Sequence, residues 1–208
     1  MLSECVTAVP PGGEINWVTY YFRDRRLAED LLRAAKRGVK VTVVLESRPR
    51  TPNANDAVIN MLAGPQGLGK GFRAITQPGL PTPSGKLWKP HLHQKLYCFS
   101  HPRPVAYIGS FNPSGDTPEE EPDIIREIGD QDRGHNVLVA ISDSTLVKCL
   151  LANARQIYRK RHAVFQRFSP HANQKCRGED TEIYFWPRIG PHPVIKFLNR
   201  VAPDAHIR

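Results

Sequence analysis

Residues 15–46 constrain the fold more than any other stretch of the chain. INWVTYY (15–21) alternates Ile15, Trp17, Thr19 and Tyr21 with Asn16, Val18 and Tyr20, the period of a strand. Asp24 then stands where an N-cap is needed, before RRLAEDLLRAAKRG. Leu27, Leu31, Leu32 and Ala35 recur at helical spacing, and Gly38 sits at the expected C′ position. VKVTVVLE follows, nearly continuous and β-branched, as in a strand covered on both faces. Strand, helix and strand over so short a span predict two parallel strands joined by a right-handed crossover.

The rest of the chain extends that unit. The pattern predicts a helix over 54–63 closed by Gly64, a strand over 71–76, and a loop over 77–90, where four prolines and two glycines fall. Gly64-Pro-Gln-Gly-Leu-Gly-Lys-Gly lacks the Lys-Ser/Thr ending of a P-loop and reads as a turn. Two strands, 92–99 and 104–110, are divided by the turn Ser100-His101-Pro102-Arg103. A long acidic loop spans 112–134, then a strand 135–142. Ser142-Asp143-Ser144 caps a helix to about Arg161, with Leu146, Leu150, Ala154 and Ile157 on its apolar stripe. Beyond a linker at 163–181, EIYFW reads as a strand, HPVIKFLNRVA as a helix and DAHIR as the start of another strand. The fold class is α/β, an α-β-α sandwich whose mixed, mainly parallel sheet is flanked by helices.

With 40% hydrophobic and 24% charged residues over 208 positions, the chain has an ordinary globular composition. No apolar run approaches the roughly 20 residues of a membrane span. The opening MLSECVTAVPPGGE carries acids and no basic n-region, so it does not read as a secretory signal. The cysteines, at 5, 98, 149 and 176, make no C-x-x-C pair. Cys98 and Cys149 lie among apolar residues and read as small buried hydrophobes, which fits a reducing compartment. The expected location is cytoplasmic or peripheral to the inner membrane face.

The net charge of +9 is unevenly spread. Residues 116–132 hold eight acids against Arg126, and the remainder of the chain carries +16. Residues 155–177 contain seven Lys and Arg and no acid. An anionic partner follows: a lipid headgroup, a nucleic acid or a phosphorylated metabolite.

The residues able to do chemistry cluster in His93-Gln94-Lys95 and Ile108-Gly109-Ser110-Phe111-Asn112. Alternate positions on a strand face one way, so His93 and Lys95 share a side, as do Ser110 and Asn112. An imidazole, an ammonium, a hydroxyl and an amide make a phosphate site: lysine supplies charge, serine and asparagine directed hydrogen bonds. The imidazole is then placed to attack phosphorus or to donate a proton. His91-x-His93 also has the spacing of a metal pair, but no third ligand is evident and no metal is expected.

His-x-Lys followed by Gly-Ser-x-Asn resembles the phospholipase D superfamily. Tyr-x-Phe at 20–22 and Leu-Leu-Arg-Ala-Ala-Lys-Arg-Gly-Val-Lys-Val at 31–41 resemble that superfamily's first strand, helix and turn. The resemblance implies a two-step reaction through a phosphohistidine, without cofactor. His93 is then the catalytic histidine, and Lys95, Ser110 and Asn112 bind the phosphate and stabilise its charge. Asn136 is the candidate for a residue orienting the histidine. The implied function is a phosphodiesterase or phosphatidyltransferase of cardiolipin-synthase-like type, with a nuclease acting on DNA or RNA and a non-catalytic phosphate-binding module as alternatives. Phospholipid is the favoured phosphodiester, with peripheral membrane contact, and nucleic acid the other. The chain departs from the superfamily at one position, where Ser100 replaces the motif's aspartate.

The superfamily's reaction needs two facing motifs, and this chain shows one. EIYFWPRIGPHPVIKFLNRVAPDAHIR resembles the opening of a second half. Residues 1–165 are therefore expected to form a first phospholipase D-like domain, and 166–208 a linker and the start of a second. The expected partner is a second His-x-Lys half of the same protein, or another copy in a homodimer. Alone, the chain is expected to be nearly inactive.

Overall fold

The computed structural model describes residues 1–76, 80–81, 84–88, 91–114, 136–160, 175–186 and 192–202. A short helix, α1 (Leu2–Ala8), leads into β1 (Glu14–Thr19), α2 (Arg25–Lys36) and β2 (Lys40–Glu46). Then come α3 (Asp56–Ala63), β3 (Phe72–Ile75), and two-residue strands β4 (Leu80–Pro81) and β5 (Leu87–Trp88). The remaining elements are β6 (Leu96–Phe99), β7 (Val105–Gly109), β8 (Leu138–Ile141), α4 (Ser144–Lys160), β9 (Cys176–Arg177), β10 (Glu182–Ile183) and α5 (Pro193–Leu198).

The expected βαβ unit forms. β1 pairs parallel with β2, Glu14 opposite Lys40 through Thr19 opposite Leu45, and β2 pairs parallel with β3. The Asp24 carboxylate accepts the Leu27 N–H at 2.9 Å and caps α2. Gly38, at φ +92°, turns the chain out of that helix, a left-handed conformation that costs a residue with a Cβ. α2 buries Leu27, Ala28, Leu31 and Ala34. Leu32 and Ala35, expected on the same face, lie half-buried at its side.

β6 lies antiparallel on the other side of β1, followed by antiparallel β7 and β8. The six-stranded order is β3-β2-β1-β6-β7-β8. The sheet is mixed. β1, β2, β3 and β7 run one way and β6 and β8 the other, yet two of the five pairings are parallel and three antiparallel. The short turn at 100–104 dictates this, because a connection of that length joins only antiparallel neighbours.

Helices cover both faces of the sheet. Trp17, Phe22, Tyr97 and Phe99 meet α1, α2 and α3 on one side. Trp17 lies 4.3 Å from Tyr97 and 5.5 Å from Phe22, ring centre to ring centre. Val18, Val44, Leu96 and Cys98 meet Leu146, Leu150, Ala154 and Ile157 of α4 on the other. Strand residues buried on both faces explain the unbroken apolar run of β2. Asp143 caps α4 by accepting the Leu146 N–H at 2.8 Å. Arg155 of α4 grips Glu14 at the start of β1 with two hydrogen bonds, 2.6 and 3.2 Å.

Several expectations are corrected. The first residues form α1, whose buried Leu2 and Val6 join the core. The stretch 77–90 holds β4 and β5, paired with each other. EIYFW contributes only Glu182–Ile183 as strand, paired with Cys176–Arg177. Cys149 is bonded to Cys176 as a disulfide, so it is not a lone buried hydrophobe, and the scattered cysteines no longer support a reducing compartment. Cys98 is free and buried. Residues 115–135, 161–174 and DAHIR (204–208) lie outside the described residues. No helix among the described residues is long and apolar enough to cross a membrane.

Candidate active site at the switch point of the sheet

The chain leaves β1 toward β2 on one side and returns to β6 on the other, so β1 and β6 flank the point where the strand order reverses. Open α/β sheets bind ligands there, beyond the carboxyl ends of the parallel strands. Every candidate residue falls at that edge. Tyr20 and Tyr21 follow β1, Glu46 ends β2, and Ser110 and Asn112 follow β7. His91, His93 and Lys95 precede β6, and Asn136 precedes β8. His93 and Lys95 thus approach the sheet from a loop and are not on the strand itself, as the sequence led one to expect.

They nevertheless meet. Lys95 Nζ lies 3.3 Å from both ring nitrogens of His93 and donates to that residue's carbonyl oxygen at 2.9 Å. The lysine is 5% exposed, whereas His93 is open to solvent. Tyr20 completes the cluster: its ring centre is 4.7 Å from the His93 ring and 5.3 Å from Lys95 Nζ. Burial pulls the Lys95 ammonium down to about 8. Burial, then the Lys95 charge, then His91 lower the His93 imidazole below its ordinary value. A neutral imidazole beside a cation that is mostly protonated at pH 7 has the chemistry to act as a nucleophile next to an anion anchor.

The second pair of candidates forms a neighbouring cluster. Ser110 Oγ donates to the Asn136 side-chain oxygen at 3.1 Å and accepts the Val137 N–H at 3.0 Å. Asn112 Oδ1 accepts the Tyr21 N–H at 3.2 Å. Tyr21 is bonded to Tyr20, and their rings touch at 4.4 Å. The Gly-Ser-x-Asn and His-x-Lys groups are therefore joined through the two tyrosines. Gly109 is required by close approach: a Cβ there would stand 1.9 Å from the Val137 carbonyl oxygen.

Ser100 lies at the opposite end of β6 from Lys95. Its hydroxyl accepts the Glu14 N–H at 2.7 Å and its own N–H reaches the Glu14 carbonyl. The position of the missing aspartate is thus a strut to the beginning of β1, about 16 Å along the strand from Lys95.

Sequence reasoning missed three residues. Glu46 is fully buried and accepts the Leu92 N–H at 2.8 Å and the Arg48 N–H at 3.1 Å. Burial raises its carboxyl above the ordinary value, partly offset by those two N–H groups and by His91. Asn55 donates to the carbonyls of Glu46 and Tyr20, both at 2.7 Å, and accepts the Phe22 N–H at 2.9 Å, locking the ends of β1 and β2. Tyr20 is the third. The available signal was position: a charged or polar residue ending an otherwise apolar parallel strand faces the ligand edge. Among the described residues, no three His, Cys, Asp or Glu side chains come together to hold a metal ion.

Comparison with known proteins agrees with the fold. No curated protein matches the chain. Among solved structures it is similar to Nuc from Salmonella typhimurium, a phospholipase D family member, with TM-score 0.50 and 17% identity over 77% of this chain and 86% of that one. It is also similar to NucT from Helicobacter pylori, with TM-score 0.51 and 17% identity over 77% of this chain and 84% of that one. At such identity the likeness concerns the fold. A family model described as cardiolipin synthase, PLD-like domain, matches residues 12–157, from the approach to β1 almost to the end of α4. That match takes in more than half of the chain and every candidate residue, and the protein belongs to the phospholipase D-like family.

Proposed function

We propose that the protein cleaves phosphodiesters through a phosphohistidine on His93. The observation that carries this reading is the exposed His93 ring lying against the buried Lys95 ammonium at the switch point of the sheet. A His93 ring nitrogen attacks phosphorus, the bond to the leaving alkoxide breaks, and water or an alcohol then displaces the histidine. Lys95, Ser110 and Asn112 hold the phosphate oxygens, with charge from the lysine and hydrogen bonds from the other two. Asn136 acts through Ser110, as a positioning residue. Ser100 takes no part in the chemistry, which makes the absent aspartate compatible with activity.

The favoured substrate is a phospholipid, in keeping with the cardiolipin-synthase-like domain and with an excess of basic residues that suits an anionic lipid surface. A nucleic acid is the second reading, favoured by the same +9 charge and by the likeness to Nuc and NucT. In the two-motif layout, residues 1–165 are the first domain and 166–208 open a second, whose His-x-Lys, or that of a second copy, faces this one.

The test is turnover of bis(p-nitrophenyl) phosphate by the purified chain as a homodimer, or supplied with a second His-x-Lys half, and by its His93→Ala variant, with a chemical trap for an acid-labile phosphohistidine. The expected result is a labelled His93 and loss of turnover in the variant with an unchanged circular dichroism spectrum. Near-normal turnover by His93→Ala overturns the reading. Phosphatidylglycerol vesicles and single-stranded DNA, offered in parallel, separate lipid from nucleic acid.

A further inference from the structure

Two tyrosines follow β1, and neither belongs to the cores that cover the sheet. Tyr20 and Tyr21 form with Ala54 a third buried cluster, apart from both layers. The loop after β2 fixes each ring by its hydroxyl. The Arg50 N–H donates to Tyr20 Oη at 2.6 Å, and the Thr51 N–H donates to Tyr21 Oη at 3.2 Å. Asn55, ahead of α3, donates to the Tyr20 carbonyl at 2.7 Å. Tyr20 is therefore held by its backbone and by the far end of its side chain. Its hydroxyl is engaged as an acceptor, and burial pushes the phenol up to about 12, which makes it a reluctant acid. What it offers the candidate site is the face of its ring.

Lys95 Nζ lies over that face, 5.3 Å from the ring centre, and the His93 ring stands 4.7 Å away. Tyr20 is 4% exposed and Lys95 5%, so the contact is shielded from water. Among the described residues no carboxylate pairs with this ammonium; Glu46, at the end of β2, stands by His91 instead. Burial without a counter-charge favours the neutral amine, and it brings Lys95 to about 8. An aromatic face within about 6 Å attracts a cation, most strongly where water is excluded. The Tyr20 ring thus works against loss of the proton. The titratable groups around the pair are His91 and His93 from the loop ahead of β6, Tyr21 beside Tyr20, Glu46, and Tyr97 on β6.

We propose that Tyr20 is a positioning residue: its ring, clamped to the loop after β2, holds the Lys95 ammonium charged and in place beside His93, and so sets the pH range over which the site binds a phosphate. The proposal rests on the reading of Lys95 as the phosphate anchor. It assigns Tyr20 no bond to substrate and no proton transfer.

The experiment uses the full chain, labelled with carbon-13 at lysine Cε, so that the titration of Lys95 is followed directly by NMR. Lys95→Met identifies the signal by its loss. Tyr20 is replaced by phenylalanine and by phenylalanines carrying one, two and three ring fluorines. These rings have nearly one shape, but each fluorine withdraws charge from the face. Tyr20→Phe is expected to keep the Lys95 midpoint close to that of wild type. The midpoint should then fall stepwise, reaching about 7 with three fluorines. Inorganic phosphate should bind about fivefold more weakly to that last variant at pH 8, since fewer lysines carry a proton. Tyr20→Leu, which has no ring, should lie at or below the end of the series. Packing alone does not follow the number of fluorines. A midpoint that stays constant across the series overturns the proposal, as does a folded Tyr20→Leu with the wild-type midpoint. Phosphate binding that survives in Lys95→Met removes the anchor reading itself. Binding lost in Lys95→Met together with a flat fluorine series removes only Tyr20.

Discussion

Lys95 Nζ is equidistant, at 3.3 Å, from Nδ1 and Nε2 of His93. The two ring nitrogens point in different directions, so equal distances place the ammonium over the face of the imidazole and not in line with either lone pair. The lysine charge therefore sits beside the proposed nucleophile without occupying either ring nitrogen. Its one strong directed bond goes to the His93 carbonyl, which fixes the loop ahead of β6.

This pairing predicts the pH profile. On the proposed reading Lys95 binds phosphate as a cation, and burial has brought it to about 8. kcat/KM should fall as pH rises through about 8, and the acid limb should lie below the ordinary histidine range because the His93 imidazole is lowered. In Lys95→Arg, whose charge does not titrate, the alkaline limb should vanish from whatever activity is retained. A flat wild-type profile to pH 10 would rule this out. Stability moves the other way. The folded Lys95 releases its proton before the unfolded chain does, so its contribution to stability rises with pH between about 8 and about 10.4. Urea melts at pH 7.5 and 9.5, on wild type and Lys95→Met, measure it.

Activity should survive chelation. Lys95 supplies positive charge at the candidate site, and among the described residues no three His, Cys, Asp or Glu side chains come together to hold a cation. Turnover of bis(p-nitrophenyl) phosphate in excess EDTA is expected to match the untreated protein. Loss in EDTA with recovery on adding a divalent ion contradicts the mechanism.

Gly109→Ala should disable the site through the backbone. The added Cβ meets the Val137 carbonyl at 1.9 Å, so β8 must move at its start. The Ser110–Asn136 bond spans that seam. We expect a destabilisation of about 2 kcal/mol and a loss of phosphate affinity, seen as a raised KM. Unchanged thermal stability would show that the seam yields at no cost.

The disulfide should be worth more than its position near the chain's end implies. Cys149 on α4 and Cys176 in β9 are separated by 27 residues. Reduction, or Cys176→Ser, releases that loop and is expected to cost about 3 kcal/mol of stability. Thermal melts with and without reductant read the difference. Cys5→Ser, in the same reductant series, serves as the control, since Cys5 carries no disulfide.

What the sequence determined by itself is local or periodic. Asp24 before a helical stripe, Gly38 after it, and a β-branched run behind it dictate β1-α2-β2, because caps and hydrophobic period act within a few residues. His-x-Lys and Gly-Ser-x-Asn were legible as a candidate phosphate site for the same reason: each is a short run of residue types that suits one chemistry. Tertiary structure decided the rest. The antiparallel side of the sheet depends on β6 choosing β1 as its neighbour, a contact across about 80 residues that no window contains. Glu46, Tyr20 and Asn55 became part of the candidate site only when the ends of β1 and β2 met the loop before β6. The partner of Cys149 was likewise set by the packing of β9 on α4 and not by spacing. A side chain's neighbours in sequence fix its conformation, but the groups that shift its charge and share its proton come from elsewhere in the fold.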